Sequence, residues 1–335
     1  MTGATGFVGR RMLRHLAARG AETTALVRDR SRSGPVEALA TRLVVGDVRT
    51  GAGLGKALEG VDCVVHLAAA IKARSSGEFF SVNVEGTRRL CKAVAAASNR
   101  PRLVYCSSLS AAGPSVPGRP LREEDACSPI SHYGRSKLGG EAVLREFAGR
   151  IDAAVVRPPV VYGPGDVEFL PAVAAMVRRG TVVTVGGGAH VYSLVYVDDL
   201  CAALVAVAER GATVCANDVA CGVYYVSDGE QHTLEQMGSV VAHAMGVRVP
   251  RVVAVPLWAA RVVARSSVVQ ARVRGRVTIL GPDKVRELRH PVWTCDSAKI
   301  SRELAFVPMV GLADGVGYAL AGGVTAVTGV QAVHR

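Results

Sequence analysis

Aromatic residues make up only 5% of this chain of 335 residues, and none of its eight cysteines shows the C-x-x-C spacing of a zinc site. Cys63, Cys91, Cys106, Cys127, Cys201, Cys215, Cys221 and Cys295 are scattered, which excludes a disulfide scaffold and reads as reduced core thiols of a cytoplasmic protein. No apolar run reaches the roughly 18 residues that a membrane-spanning helix needs, and the first residues lack the charged-then-apolar order of a secretory signal. Internal repeats and low-complexity linkers are missing too. What is present is a globular, aliphatic chain, 49% hydrophobic and 20% charged, long enough for one large domain or two fused ones.

Acidic residues are the minority, 28 against 40 Lys and Arg, giving a net charge of +12. The excess is local. Twelve Lys and Arg face three acids between Arg248 and Arg302, which leaves about +3 for everything else. Within it, Arg251–Arg276 mixes Val, Leu, Ala and Trp258 with six arginines. Three readings fit: a lid helix with a solvated basic face, an interfacial helix on anionic lipid, or a collar for an acidic substrate. Nucleic acid is not expected as a partner, because neither a reading motif nor interleaved aromatics accompany the charge.

Short β-branched runs at 24–27, 42–45, 62–67, 102–106 and 153–157 alternate with helical stretches at 9–19, 86–97 and 133–148. This spacing predicts a doubly wound α/β fold with a parallel sheet. After Tyr162 the regularity breaks into Gly-rich and Pro-rich pieces. The expected division is a dinucleotide-binding domain over 1–160 and a smaller substrate-binding region over 161–335, with segments near 194–205 and 222–228 returning to the first.

Gly3-Ala-Thr-Gly6-Phe-Val-Gly9 is a G-x-x-G-x-x-G turn opening onto a helix. Glycines let backbone approach a pyrophosphate, and a helix start offers it free N–H groups, although such a turn also serves a strand-to-helix corner with no ligand. Only Met1 and Thr2 precede it, so the central strand of the sheet is expected to be truncated at the N-terminus. After the run 24–27, Arg28 takes the strand tip; a guanidinium there suits the 2′-phosphate of NADP, while the adjoining Asp29 keeps NAD open. Ser107 and Ser108 end another run, where open α/β sheets bind ligands. Tyr133 and Lys137, four apart, share a helix face, and an ammonium beside the phenol is expected to lower its pKa toward neutrality.

Together GATGFVG at 3–9, GDV at 46–48, HLAA at 66–69, NVEGT at 83–87, YCSS at 105–108, Tyr133 with Lys137, RPPVVYGPG at 157–165 and YVDDL at 196–200 resemble the extended short-chain dehydrogenases/reductases of the NAD-dependent epimerase/dehydratase group, over nearly the whole chain. The resemblance implies that Gly3, Gly6 and Gly9 line the pyrophosphate, with Phe7 and Val8 in the same cofactor-binding turn. It places Asp47 and Val48 at the adenine, and Leu67, Ala68 and Ala69 near the nicotinamide-side ribose. It makes Tyr133 the general acid/base, Lys137 its ribose-binding assistant, and Ser108, twenty-five residues before Tyr133, the partner of the reacting oxygen. Asn83, Pro159 and Val160 complete the cofactor surround.

Two departures narrow the reaction. The arginine with which nucleotide-sugar epimerases of this group hold the substrate pyrophosphate is replaced by Tyr192, and the Thr-Asp-Glu set of sugar-nucleotide dehydratases by Ser108-Leu109-Ser110. YCSSLSAAGP at 105–114 resembles 3β-hydroxysteroid dehydrogenases, and Val27-Arg28-Asp29 resembles the same tip in dihydroflavonol reductases. The expectation is hydride transfer between NADP(H), or NAD(H), and a secondary alcohol or ketone of a small, largely apolar substrate. Alternatives are a sugar or nucleotide-sugar epimerase and a non-catalytic NADP sensor. No metal site is expected; Asp198 and Asp199 read as a helix start, Trp293 as a core aromatic or a pocket wall, and a homodimer stays open.

Overall fold

Strands form where β-branched residues are densest: β1 (Thr24–Val27), β2 (Arg42–Val45), β3 (Cys63–His66), β4 (Arg102–Cys106) and β5 (Ala153–Arg157). Shorter strands follow: β6 (Val160–Tyr162), β7 (Thr181–Val185), β8 (Val191–Tyr192), β9 (Leu194–Tyr196), β10 (Val223–Tyr225), β11 (His232–Thr233), β12 (Arg251–Val255) and β13 (Val292–Trp293). The helices between them are α1 (Phe7–Ala18), α2 (Gly34–Glu37), α3 (Leu54–Leu58), α4 (Ser76–Phe80), α5 (Thr87–Ala96), α6 (Leu109–Ala112), α7 (His132–Glu146), α8 (Phe169–Arg178), α9 (Val197–Arg210) and α10 (Leu234–Ala244). Helices Pro282–Leu288, Ala298–Leu304 and Leu312–Gly322 close the chain. The computed structural model describes residues 1–73, 75–259, 262 and 282–322.

The main sheet is parallel. β10, β5, β4 and β3 lie side by side, β1 pairs with β2, and Thr2 bridges the two groups through Leu26 of β1 and His66 of β3. Thr2 N–H donates to the Val65 carbonyl at 3.1 Å and Leu26 N–H to the Met1 carbonyl at 2.9 Å, so the central position is carried by two residues. Successive side chains alternate between two buried faces. Leu103, Tyr105 and Val155 pack with Leu90 and Val143 on one side, while Val104, Ala154 and Val156 meet Met12, Leu200 and Leu204 on the other. A third cluster joins Tyr162, Leu170, Val173 and Leu194 to Met237 and Val316.

Within the sheet's flank lies a buried ion pair. Arg157 on β5 and Glu141 on α7, exposed by 1% and 0%, meet through two hydrogen bonds of 2.9 and 2.6 Å. Ser107 Oγ donates to the same carboxylate at 2.6 Å, and Arg157 also donates to Tyr225 Oη at 3.2 Å. Burial opposes charge on Glu141, yet Arg157, Ser107 and Arg145 outweigh it and hold the carboxyl below its ordinary value.

Two expectations change. Cys215 and Cys221 are not separate thiols; the loop between α9 and β10 folds back so that they form a disulfide with Cα atoms 5.6 Å apart. The basic stretch 251–276 begins as strand β12, not as a helix, because Arg251–Val255 pairs in parallel with β7. Beyond Ala259 and Val262 that stretch lies outside the described residues. Among the described residues no helix is long and apolar enough to cross a membrane.

Replacing Arg157 with Leu leaves a buried carboxylate without its partner and is expected to cost about 3–5 kcal/mol in denaturant unfolding. Because the folded Glu141 carboxyl sits below its unfolded value, its stabilisation is complete above roughly pH 4.5 and is lost as the pH falls through the folded value. Glu141→Gln should therefore flatten the acid limb of a stability–pH curve; an unchanged limb refutes the assignment.

Candidate active site

The carboxyl ends of the parallel strands gather the sequence-predicted residues on one edge. In the turn after Thr2 the three glycines differ. Gly3 has φ +71°, and a Cβ on it would stand 2.6 Å from the Ala68 amide; a Cβ on Gly9 would collide with the Gly3 carbonyl. Both are required by packing within the chain. Gly6 is less constrained, a Cβ on it meeting only the Gly3 carbonyl oxygen at 3.2 Å, still closer than ordinary van der Waals contact, and it precedes α1 with no side-chain cap and no acid in the first turn. Free donors at a helix start facing an open edge suit an anion. Phe7 and Val8 are half-buried at that start.

Arg28 is exposed at the tip of β1 and contributes to holding the Asp47 carboxyl below its usual range, behind the stronger hydrogen bonds from Arg49. Asp29 is turned to its own backbone, accepting from Ser31 N–H at 2.9 Å and Ser31 Oγ at 2.7 Å. Asp47 accepts from the Arg49 guanidinium at 2.8 and 3.0 Å, and Val48 is buried in the core. Leu67, Ala68 and Ala69 follow β3 half-buried beside Gly3. Asn83 is fully buried and joins two elements: it accepts from Ala70 N–H at 2.8 Å and donates to Ala70 O at 3.1 Å and to Ser136 Oγ on α7 at 2.8 Å. Its amide thus positions the strand-end loop against α7. Pro159 and Val160 stand at the end of β5, Val160 already paired in β6.

Ser108, two residues past β4, caps α6 by accepting from Ser110 N–H at 3.1 Å, and its side chain stands near enough to the Tyr133 phenol to oppose the rise in its pKa. Lys137, one turn along α7, donates to the Cys106 carbonyl at 2.6 Å and lies 4.3 Å over the Tyr105 ring. Ser108 and Tyr133 are thus neighbours, with Lys137 one turn along the same helix. Their electrostatics differ from the expectation, however: burial pushes the Tyr133 phenol up, with Ser108 opposing it, and burial pushes Lys137 down to about 8. Desolvation dominates at Tyr133, which is a phenol through neutral pH.

Other residues here escaped sequence reading. His66 is buried between Thr2 Oγ1 at 2.7 Å and Thr87 Oγ1 at 3.1 Å, and burial with nearby Lys137 pushes it down to about 3, leaving a neutral imidazole beneath the turn. Asp283, on helix Pro282–Leu288, accepts from the backbone N–H groups of His132 at 2.8 Å and Tyr133 at 3.1 Å. Glu287, one turn on, accepts from Ser131 Oγ at 2.8 Å, and Ser131 itself accepts from Gly134 N–H at 2.9 Å. Two acids from 150 residues away thus cap the helix that presents Tyr133, where the helix dipole favours them. Acids one turn apart in a basic region are the sole sequence trace of this role. Trp293 is a core aromatic, 8% exposed, with its indole N–H donating to the carbonyls of Glu287 and His290. Asp198 and Asp199 do start a helix: Asp198 pairs with Arg11, and Asp199 accepts from Met309 and Val310 N–H. Tyr192 lies half-buried in β8.

The profile of the NAD dependent epimerase/dehydratase family matches residues 1–222. Among curated relatives, a ceramide reductase of Caulobacter vibrioides is 32% identical over 90% of this chain and 87% of its own length. A 4-hydroxy-2-methyl-3-oxo-4-farnesyl-3,4-dihydroquinoline-1-oxide ketoreductase of Stigmatella aurantiaca is 29% identical over 85% of this chain and 89% of its own. Among solved structures, a dTDP-glucose 4,6-dehydratase of Streptomyces venezuelae with NAD bound superposes with a TM-score of 0.73 at 25% identity, covering 96% of this chain and 95% of that one.

Removing the remote cap by Asp283→Ala should cost about 1–2 kcal/mol in denaturant unfolding and speed amide exchange at the start of α7. Unchanged exchange at His132 and Tyr133 would contradict the cap. Gly9→Ala should destabilise the fold severely, whereas Gly6→Ala should cost clearly less, since its Cβ would press on the Gly3 carbonyl oxygen at 3.2 Å, where one on Gly9 would collide with it.

Proposed function

The chain belongs to the NAD dependent epimerase/dehydratase family as an NAD(P)-dependent oxidoreductase of the extended short-chain type, and we propose that it moves a hydride between NADP(H) and a secondary alcohol or ketone of a small, largely apolar substrate. The observation that carries this reading is the closeness of Ser108 to Tyr133 at the carboxyl edge of the sheet, with Lys137 one turn along α7 and bound to the Cys106 carbonyl.

The residues present fit the cofactor. An uncapped helix start beyond Gly6 accepts a pyrophosphate, and exposed Arg28 with Asp29 engaged in its own turn favours a 2′-phosphate over bare ribose hydroxyls. When bound, the nicotinamide supplies or accepts the hydride. Ser108 orients the substrate oxygen, and Tyr133, held as a phenol by burial, gives that oxygen its proton during reduction and takes it back during oxidation. Lys137 holds the ribose and keeps a positive charge beside the proton path. Leu109, the residue after Ser108, belongs to a buried apolar cluster with Tyr225 and Trp293. With Tyr192 at the place of a pyrophosphate-binding arginine, an apolar ketone is favoured over a nucleotide sugar. The ceramide reductase and ketoreductase named above support the same class.

Purified protein with NADPH and a cyclic ketone should consume cofactor, and Tyr133→Phe should lower kcat by at least about a hundredfold. Reduction should slow as the pH rises through about 8, where Lys137 loses its proton. Arg28→Ala should erase the preference for NADPH over NADH. Isomerisation of a sugar nucleotide with no net cofactor turnover would overturn the reading in favour of an epimerase.

A further inference from the structure

One side of the molecule carries exposed apolar residues that the reaction does not use. Strands β7 and β12 form a two-stranded parallel sheet of their own, in which Val183 pairs with Val253. Val247, Val249, Val252, Val253, Trp258 and Val262 are all exposed, Trp258 by 69%, and Val183 joins them across the pair. Val252 and Val253 are neighbours on one strand, so both faces of β12 meet solvent. Soluble surfaces rarely leave such a face and such an edge bare unless something docks on them.

Arginines flank these strands. Arg178 and Arg179 precede β7, Arg251 opens β12 opposite Thr181, and Arg248 lies just before it; all four are exposed. From Val247 to Arg276 the sequence holds seven arginines and no acid. Apolar side chains with an exposed tryptophan among arginines match a bilayer surface, where the indole and valines enter the headgroup boundary and the guanidinium groups meet phosphate. A second copy of this chain would bring like charge against like charge, and a neutral apolar partner would leave the arginines unmatched.

We propose that the β7–β12 face, with Trp258 and the exposed arginines beside it, docks this protein on the surface of an anionic phospholipid membrane. The full chain should co-sediment with phosphatidylcholine vesicles containing phosphatidylglycerol at low salt, and salt should release it. Trp258 emission should shift to shorter wavelength on binding, and Trp258→Phe should abolish the shift, since Trp293, the other tryptophan, is already buried. Arg248→Glu with Arg251→Glu should lower the partition coefficient at least about tenfold, with the melting curve and NADPH binding unchanged. Absence of binding, equal binding to pure phosphatidylcholine, or a dimer that Val253→Asp dissolves and vesicles do not compete away would each overturn the proposal. Binding is read without turnover, so it stands or falls apart from the reductase assay.

Discussion

The buried pair between Glu141 and Arg157 sets the geometry on which the candidate site depends. Tyr133, Lys137 and Glu141 are spaced four apart on α7 and so share one face. Glu141 is pinned to β5 through Arg157 and to β4 through Ser107, whose neighbour is Ser108. Rotating α7 would strip a buried carboxylate of its partners, at a cost of several kcal/mol. The pair therefore aims Tyr133 at Ser108 and Lys137 at the end of β4 without touching either. Arg157 extends the same restraint to β10 through Tyr225.

Around this anchor the chain closes its edge with contacts that leave little slack. Gly3 lets the first turn lie against Ala68, Thr2 joins β1 to β3, and its hydroxyl holds a neutral His66. Asn83 ties the loop after β3 to α7. Burial of these groups has an electrostatic result. It raises the Tyr133 phenol and lowers the Lys137 ammonium, so the proton stays on the oxygen that is to donate it. Asp283 and Glu287 add a second influence, because the acids that cap α7 also bring negative charge toward Tyr133.

Much of the fold could be read from local pattern. The runs at 24–27, 42–45, 102–106 and 153–157 are strands to the residue, and α1, α5 and α7 fall where the helical stretches were expected. Each is a short-range property, since period and turn residues act within a few positions. The meeting of Ser108 with Tyr133 was legible for a different reason, as a spacing carried by the family resemblance. Part of what stayed hidden acts over long separations, as when Asp283 reaches Tyr133 across 150 residues. Cys215 and Cys221 are only six residues apart, but they meet through a loop whose fold no periodicity announces.

The sequence by itself determined the strand and helix order, the glycine turn, the Tyr133–Lys137 face and the family, because each depends on residues close together in the chain or on motifs quoted whole. Only the tertiary structure decided how those groups are protonated, how tightly each glycine of the turn is packed, and what holds α7 in place. Desolvation depends on everything that surrounds a group, and a remote cap on where a distant helix comes to rest. Neither is written in any short window of the chain.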